Sequence, residues 1–208
     1  MIKFERTETS GWEPALRGMR NPMNSWDKSD TVYLDGTTPE LGYNDSRLAK
    51  QLAEAGSTHA KYRRMITVYT DITAPLYWWK QFDTYKVGTV TNSCSTMHKI
   101  TEKPFTLKDF STEHLNSGNL PFFDTVVALL EYSRKQYLQT KDKSDWWQLI
   151  QMLPESYNQR RTVMLNYEVL AGIYETRRNH KLDEWHDFCD WIESLPYSEV
   201  ITCGVECD

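Results

Sequence analysis

The chain has 208 residues, of which 39% are hydrophobic and 25% are charged, and its formal net charge at pH 7 is −5. This balance is typical of a globular domain with a core of ordinary size, and it excludes a wholly disordered chain. No basic run stands out and no stretch reaches the roughly 18 consecutive apolar residues of a membrane span, so neither duplex nucleic acid nor a membrane is an expected partner.

The N-terminal residues, cysteines and histidines exclude further classes. Residues 1–6 lack the apolar segment of a secretory signal, so we expect a cytoplasmic protein. The four cysteines are too few and too scattered for the disulfide framework of a small secreted domain. Neither the cysteines nor the five histidines have the spacing of a metal site, so no metal is expected.

Strand and helix signals alternate in the first half of the chain. β-branched residues mark strands, while Asn, Asp or Pro before an apolar run and Gly after it mark the ends of helices. In chain order these signals predict a strand over 2–7, a helix over 12–19, a helix from 44 or 45 to 55, a strand over 65–72, a helix over 76–85 and a short strand over 89–91.

Residues 21–43 are predicted to form a long irregular loop, because Asn, Asp, Ser, Gly and Pro are frequent there. A loop of this length in a compact domain is often functional. The segment 21–30 has too little apolar content for a core, so it is either a solvated loop or a lid over a pocket. The sequence leaves both interpretations open.

The second half of the chain is predicted to be helical. Apolar residues recur at helical spacing over 122–137, 146–152, 162–178 and 182–195. Strands followed by helices indicate an α+β fold, and residues 1–208 are predicted to form a single domain. Residues 198–208 are predicted to be a flexible tail.

Two polar residues lie on the apolar stripe of the helix predicted over 162–178. Asn166 and Arg177 are eleven residues apart, which is about three turns, so they are predicted to share a face about 16 Å apart. One interpretation is that both have internal partners, with Arg177 paired to Glu184 or Asp187. The other is that they form a groove wall that contacts a ligand at two points.

A family resemblance begins at a helix in the first half of the chain. The run Ala74–Phe82, which reads APLYWWKQF, resembles the alanine-proline-to-glutamine run that introduces the signature of flavin-dependent thymidylate synthases. Residues 84–98 resemble the signature itself, with one extra residue in its middle. Leu153-Pro154, Asn166 and Arg177 resemble a leucine-proline step, an asparagine and an arginine that follow in the family. The order and spacing of these motifs extend the resemblance over most of the chain.

The resemblance implies a mixed β-sheet flanked by helices and a homotetramer with active sites at subunit interfaces. It implies a nucleotide-type small molecule as ligand, FAD as cofactor, and methylation of dUMP with folate and NADPH as the reaction. By position, the residues implied in nucleotide binding are Gln81, Lys86, Ser95 and Arg177. Those implied in flavin binding are Tyr85, Asn92 and Asn166. The resemblance specifies no catalytic residue.

Several charged positions of the family signature are replaced in this sequence. Thr84 and Tyr85 stand where the family has arginine and histidine, Ser93 where it has glutamate, and Met97 where it has a second arginine. Glu168 replaces a further arginine and is expected to repel a diphosphate. Since neither Thr nor Met can reproduce an arginine–phosphate contact, the usual ligands should bind more weakly than micromolar. Charge from another direction could come from Arg17, Arg20, Arg63, Arg64, Arg160 and Arg161.

Three functions remain open from the sequence. The first is a working FAD-dependent methyltransferase on a uridine nucleotide, since this chemistry needs no protein nucleophile. The second is a phage-type descendant that sequesters a nucleotide without chemistry, with tryptophan and tyrosine rings stacking on the base. The third is a structural or interaction protein whose Trp78-Trp79 and Trp146-Trp147 pairs belong to a core or an interface.

Overall fold

The computed structural model describes residues 2–34 and 38–203. Its strands and longer helices have the following bounds, in chain order: β1 Lys3–Ser10, α1 Trp12–Arg20, α2 Tyr43–Glu54, β2 Thr67–Pro75, α3 Leu76–Phe82, β3 Val90–Ser93, α4 Thr96–Lys99, α5 Leu120–Thr140, α6 Lys143–Met152, β4 Asn158–Asn166, α7 Tyr167–Arg177, α8 Asp183–Glu193 and α9 Glu199–Thr202. Short 3-10 turns lie between several of these elements.

The four strands form an antiparallel sheet in the order β1-β2-β4-β3. This sheet and the many helices confirm the predicted α+β class. The sheet was expected to be mixed, and that detail is wrong. Where β2 begins and β4 ends, the backbone N–H of Tyr167 donates to the carbonyl of Ile66 at 3.1 Å, so the two strands run in opposite directions.

The chain divides into two compact units, of which the first comprises Met1–Lys3, Ile72–Thr84 and Asn92–Arg161. In this unit α5 and α6 pack against each other. Their core combines Leu130 and Leu149, both fully buried, with aromatic rings from the segment before α5. Burial of these side chains explains why the apolar spacing in the sequence predicted the helices α5 and α6.

Helix α3 gives the first unit a second aromatic core. Trp78, Trp79 and Phe82 are buried and lie ring against ring, with centroid distances of 4.9–5.3 Å. The interpretation of the Trp78-Trp79 pair as core is therefore confirmed. The Nε1 group of Trp79 also donates to the backbone carbonyl of Gln159 at 2.9 Å, which ties α3 to β4.

The second unit comprises Phe4–Asp71, Tyr85–Thr91 and Thr162–Asp208. The amphipathic stripe predicted over 182–195 is found in α8. Its apolar members are buried in this unit: Trp185, Phe188, Ile192 and Leu195. Glu184, which is not part of the apolar stripe, is also buried, at 4% exposure.

The helix predicted over 162–178 is only half correct, because residues up to Asn166 belong to β4 and α7 starts at Tyr167. Val163 and Leu165 are buried, while the residues between and beside them are more exposed. This alternation is the period-two pattern of a strand. Asn166 therefore does not share a helix face with Arg177, and the prediction that the two side chains lie about 16 Å apart on one helix is wrong.

The long loop before α2 is anchored by a fully buried carboxylate. Asp45 accepts hydrogen bonds from Arg20 at 2.6 Å, from the Ser29 hydroxyl at 2.7 Å, and from the Thr31 hydroxyl at 2.6 Å. The backbone N–H groups of Asp30 and Thr31 also donate to it, each at 3.2 Å. Burial alone would raise the pKa of Asp45, but the bonds from Thr31, Ser29 and Arg20 lower it below its usual value.

The sequence predicted that Asn44 or Asp45 caps the N-terminus of α2. The structure shows that a residue of the preceding loop caps it instead. The carboxylate of Asp30 accepts from the backbone N–H groups of Asn44 at 2.9 Å and Asp45 at 3.1 Å. An acidic side chain from outside the helix thus satisfies two of its unpaired donors.

The flexible tail predicted from residue 198 is wrong for its first part. Residues Glu199–Thr202 form α9, and Val200 and Ile201 are 2% and 1% exposed. Burial of two branched apolar side chains holds this turn in place, although the sequence around it is polar. The remaining tail residues, 204–208, lie outside the described residues.

The structure bears only partly on three further predictions: the membrane, the metal and the single domain. Within the described ranges, no helix is both long and apolar enough to cross a membrane. In the same ranges, no group of three or more His, Cys, Asp or Glu side chains could hold a metal ion. The assignment of the whole chain to one domain stays a prediction.

Candidate functional site

The implied binding residues are distributed over both units. The first unit contains Gln81 on α3, Asn92 on β3 and Ser95 directly before α4. The second unit contains Tyr85, Lys86, Asn166 and Arg177. Asn92 and Lys86 are exposed, whereas the other five are partly buried.

In the second unit, Asn166 is the N-cap of α7. Its Oδ1 atom accepts from the backbone N–H of Val169 at 3.0 Å, and its own backbone is extended. Gly88 approaches the same side chain, and a Cβ atom at Gly88 would lie 2.8 Å from Asn166 Nδ2 and 3.0 Å from Val169 Cγ2. Gly88 also has a φ of +74°, so glycine is required here for two reasons.

Arg177 lies at the end of α7 among aromatic groups. Its Nε donates to the hydroxyl of Tyr85 at 2.7 Å, and its guanidinium carbon lies 4.7 Å from the ring centroid of Trp185 and 5.5 Å from that of Tyr85. Trp185 is fully buried, whereas Arg177 is only partly buried. These contacts hold a planar cation in one orientation through cation–π attraction and a charge-assisted hydrogen bond.

The hydrogen-bond directions around Tyr85 follow from its neighbours. The Thr176 hydroxyl donates to the carbonyl of Gly172 at 2.8 Å, so its oxygen accepts from Tyr85 at 3.2 Å. The Tyr85 oxygen then accepts from Arg177. This chain of bonds fixes the Tyr85 ring against α7.

His180 completes the group of residues that we call the Arg177 cluster: Tyr85, Thr176, Arg177, His180 and Trp185. The rings of His180 and Trp185 are 6.3 Å apart. Burial, followed by the positive charge of Arg177, lowers the pKa of His180 below 6.5. The charged form of His180 is therefore disfavoured beside Arg177.

Ser95 lies at the edge of a cleft of about 430 Å³ in the first unit, which we call the Ser95 cleft. Its hydroxyl oxygen accepts from the backbone N–H of His98 at 3.1 Å, as an N-cap of α4. The backbone N–H of Cys94 donates to the carbonyl of Arg160 at 2.9 Å, which joins β3 to β4 at this edge. The cationic residues of the lining are Lys99, Lys103 and Arg160.

Four of the arginines considered as alternative sources of charge pair with carboxylates, and three of these four arginines are largely buried; the exposed one is Arg17, at 3.5 Å from Glu13. Arg20 contacts Asp45 at 2.6 Å, and Arg63 contacts Glu168 at 2.7 Å. In the first unit, Arg161 contacts Asp83 at 2.7 Å and lies 4.1 Å over the ring of Trp79. These pairs hold the three side chains within the protein and oppose a role in phosphate binding.

The ion pair of Arg63 also corrects the expectation that Glu168 repels a diphosphate. The Arg63 side chain is 7% exposed, that of Glu168 is 16% exposed, and Arg63 also donates to the carbonyl of Val200 at 3.0 Å. The arginine neutralises the carboxylate at close range. Glu168 thus belongs to an internal ion pair in the second unit.

Sequence reasoning assigned Trp185 to the core, considered His180 only as a metal ligand, which it rejected, and did not consider Thr176. Trp185 is indeed buried, but one face of its ring covers Arg177. Helical spacing predicts the burial of Trp185 but says nothing about which side chain from another helix lies on it. The sequence therefore contained no signal for this contact.

The sequence matches no protein-family model, and no curated protein is similar enough to be matched. Solved structures do match. Thymidylate synthase X (ThyX) from Helicobacter pylori with FAD and dUMP has 17% identity and a TM-score of 0.70, covering 96% of both chains. A second structure, flavin-dependent thymidylate synthase ThyX from Helicobacter pylori complexed with FAD and dUMP, has 16% identity and a TM-score of 0.71, covering 99% of both chains.

A third solved structure, of a UMP/dUMP methylase, also matches. The UMP/dUMP methylase PolB from Streptomyces cacaoi, bound with 5-Br UMP, has 12% identity and a TM-score of 0.64, covering 97% of this chain and 93% of that chain. Identities this low establish the fold and leave the ligand open. The chain thus shares the fold of the flavin-dependent thymidylate synthases over nearly its whole length, as the sequence resemblance predicted.

Proposed function

We propose that the chain binds a uridine-type nucleotide, with Arg177 as the main cationic contact. The observation that carries this proposal is the fold likeness over nearly the full length to structures that hold dUMP or 5-Br UMP. Gln81, Ser95 and Lys86 are the other proposed nucleotide contacts, by their positions in the signature.

The geometry of the Arg177 cluster supports this role. A planar guanidinium recognises phosphate or carbonyl oxygens best when its orientation is fixed before the ligand arrives. Trp185 and Tyr85 provide that fixation, at 4.7 Å from the ring and through a 2.7 Å hydrogen bond. The partial exposure of Arg177 leaves the cluster accessible to a ligand.

The implied flavin residues fit a bound flavin less well. The Oδ1 atom of Asn166 caps α7, and the Tyr85 hydroxyl joins Arg177 to Thr176. Flavin contacts through these atoms would compete with internal hydrogen bonds, each worth about 0.5–1.5 kcal/mol. Asn92 lies exposed on β3. Nucleotide binding without flavin is therefore the function that the geometry supports best, although the two ThyX structures hold FAD.

The proposal includes a homo-oligomer whose nucleotide site lies at a subunit interface, as the family resemblance implies. The retained positions Gln81, Ser95 and Arg177 support the nucleotide part of this proposal. The assembly itself needs a separate measurement of the molecular mass in solution.

The direct test is titration of the purified chain with dUMP and UMP by isothermal calorimetry, combined with mass spectrometry of small molecules released on denaturation. Arg177→Met should weaken binding by roughly 10- to 150-fold, the loss of a charged hydrogen bond worth about 1.5–3 kcal/mol. Arg178→Met is a matched control, because Arg178 is the next arginine and lies 5.7 Å from the Tyr174 ring instead. Absence of binding at millimolar nucleotide, with no nucleotide released, would overturn the proposal.

A second measurement separates binding from chemistry. The protein is incubated with tritium-labelled dUMP, FAD, NADPH and methylene-tetrahydrofolate, and release of tritium is followed. The proposed function predicts nucleotide binding without release, and without the yellow colour and absorption spectrum of a flavin. Release of tritium together with a flavin spectrum would instead establish the methyltransferase.

A further inference from the structure

A cleft of about 860 Å³ follows strand β1 in the second unit. Four consecutive residues of the strand, 7–10, line it together with the start of α1 and part of the loop before α2. Successive side chains of a strand point to opposite faces of a sheet. A cleft that four consecutive residues line therefore lies along the edge of the strand, within reach of its backbone. We call it the β1 cleft.

The edge of β1 at this cleft can accept a further strand. Within the described residues no strand lies beyond β1, which is the first member of the sheet order β1-β2-β4-β3. Every second residue of an edge strand directs its backbone N–H and carbonyl away from the sheet, where another extended segment can pair with them. Before the cleft, Arg6 interrupts the edge, because its φ of +56° is left-handed. Residues 7–10 are therefore the part of β1 that remains suited to pairing.

Two buried indole groups fix this part of the strand. The Nε1 group of Trp191 donates to the Thr7 hydroxyl at 3.1 Å, and that of Trp12 donates to the Thr9 hydroxyl at 3.0 Å. Both tryptophans are buried, at 8% and 5% exposure. An edge whose side chains are already held loses less conformational entropy when a partner binds.

The cleft combines negative charge with apolar surface. Glu8 and Glu13 are exposed at its lining, and the described lining includes no lysine, arginine or histidine. Glu13 lies 3.5 Å from Arg17, but both side chains are 64% exposed, so water and salt weaken this pair. Tyr33 and Leu34, which are 44% and 49% exposed, supply apolar surface. Such a lining is complementary to an extended segment that carries both basic and apolar side chains.

We propose that the β1 cleft binds an extended basic peptide segment of another protein, which adds a strand to β1 along residues 7–10. Backbone hydrogen bonds to the edge provide affinity in this mode of recognition, and the side chains provide specificity. Basic side chains of the peptide contact Glu8 and Glu13, and its apolar side chains pack on Tyr33 and Leu34.

The charges of this chain's own segments do not match the cleft. Residues 204–208 contain Glu206 and Asp208 and no basic residue. Strand β1 of a second copy, with the sequence KFERTETS, carries two basic and two acidic residues and so brings no net positive charge. A basic segment from another protein is the occupant that the electrostatics favour.

The β1 cleft is separate from the proposed nucleotide contacts, since its lining includes none of Gln81, Lys86, Ser95 and Arg177. Titration with dUMP should therefore give the wild-type affinity in a variant of the cleft. The two proposals fail independently of each other.

Fluorescence anisotropy of a labelled, acetylated and amidated peptide, Lys-Val-Arg-Val-Lys-Val, tests the proposal on the full chain. The basic peptide should bind, and a matched peptide with glutamate at each basic position should not. Because a strand bonds to one edge only through alternate residues, N-methylation of one alternate set of peptide residues should abolish binding. N-methylation of the other set should preserve it. This pattern distinguishes strand addition from attraction between charges alone.

Glu8→Lys should weaken binding of the basic peptide roughly 3- to 10-fold at low salt, since it reverses a charge at the cleft. Glu54→Lys is the matched control, because Glu54 is exposed at the end of α2 in the same unit and does not line the cleft. Circular dichroism and the dUMP titration verify that both variants are folded and bind nucleotide as the wild type does.

Absence of binding by the basic peptide at millimolar concentration would overturn the proposal. Equal affinities of the two N-methylated peptides, or equal losses in Glu8→Lys and Glu54→Lys, would do the same. Sedimentation velocity supplies a last criterion. If the peptide dissociates an assembled wild-type protein into smaller species, the edge belongs to a contact between copies of this chain and the proposal is wrong.

Discussion

Two polar networks in the second unit show how the same kinds of side chain serve different purposes. The Asp45 network is closed, because the carboxylate is fully buried and receives hydrogen bonds from Arg20, Ser29, Asp30 and Thr31. The Arg177 cluster is only partly buried, and its cation contacts the rings of Trp185 and Tyr85 and the Tyr85 hydroxyl. A buried carboxylate that accepts several hydrogen bonds stabilises the fold, whereas a fixed and accessible cation is prepared for a ligand.

The largest effect is expected from Asp45→Ala. It leaves the Arg20 guanidinium buried without its carboxylate and releases the loop donors, so the free energy of unfolding should fall by about 3–5 kcal/mol. Urea denaturation measures this loss. Asp45→Asn, which keeps the shape but removes the charge, separates the ion pair from the hydrogen bonds.

If Asp45→Ala lowers the free energy of unfolding by less than about 1 kcal/mol, the size typical of an exposed ion pair, the Asp45 network does not stabilise the fold as described. Nucleotide affinity per folded molecule should stay near the wild-type value in both variants, since Asp45 is not a proposed ligand contact.

A smaller loss, about 1–2 kcal/mol from backbone strain, is expected from Gly88→Ala because a left-handed φ of +74° disfavours any side chain. The new Cβ also meets Asn166 and Val169, so nucleotide binding should weaken as well. Gly56→Ala is the matched control, since Gly56 has a φ of +93° but no heavy atom within 4 Å of a Cβ there.

Thermal unfolding and calorimetry distinguish the two glycine variants. Equal losses of stability and unchanged affinity in both would show that the contact of Gly88 with Asn166 has no role in binding.

A smaller effect than that of Gly88→Ala is expected from Tyr85→Phe. The variant keeps the ring but removes the hydroxyl that accepts from Arg177, a bond worth about 0.5–1.5 kcal/mol. Nucleotide affinity should fall roughly 2- to 10-fold, with little change in stability. Tyr174→Phe is the control, because its hydroxyl binds Glu193 at 2.5 Å and lies outside the Arg177 cluster. Equal affinities in the two variants would contradict a positioning role for Tyr85.

The smallest effect is the pH dependence that Asp45 contributes. Its pKa is lowered in the folded protein, so its stabilising contribution is present above the unfolded value of about 3.9 and is lost as the pH falls through the folded value. The difference in unfolding free energy between wild type and Asp45→Asn should therefore shrink below about pH 4. A constant difference between pH 6 and pH 3 would show that Asp45 does not titrate in this way.

The amino-acid pattern was sufficient where one physical signal dominated. Helical spacing predicted the buried stripe of α8, and Gly and Pro located several element ends. Order and spacing of short motifs predicted the fold, which the solved structures confirm. The same pattern was misleading before α7, where Thr162 to Asn166 are compatible with a helix but pair with a neighbouring strand.

The sequence by itself determined the α+β class and most helices, because burial of apolar side chains leaves a periodic trace along the chain. The resemblance of its short motifs to those of the flavin-dependent thymidylate synthases predicted the fold. Only the tertiary structure decided which polar groups are closed inside it. Glu168 was expected to face a ligand and instead pairs with Arg63, while Trp185 was expected to fill a core and also covers Arg177. Such pairings join side chains from different elements of the fold, and no local period encodes them.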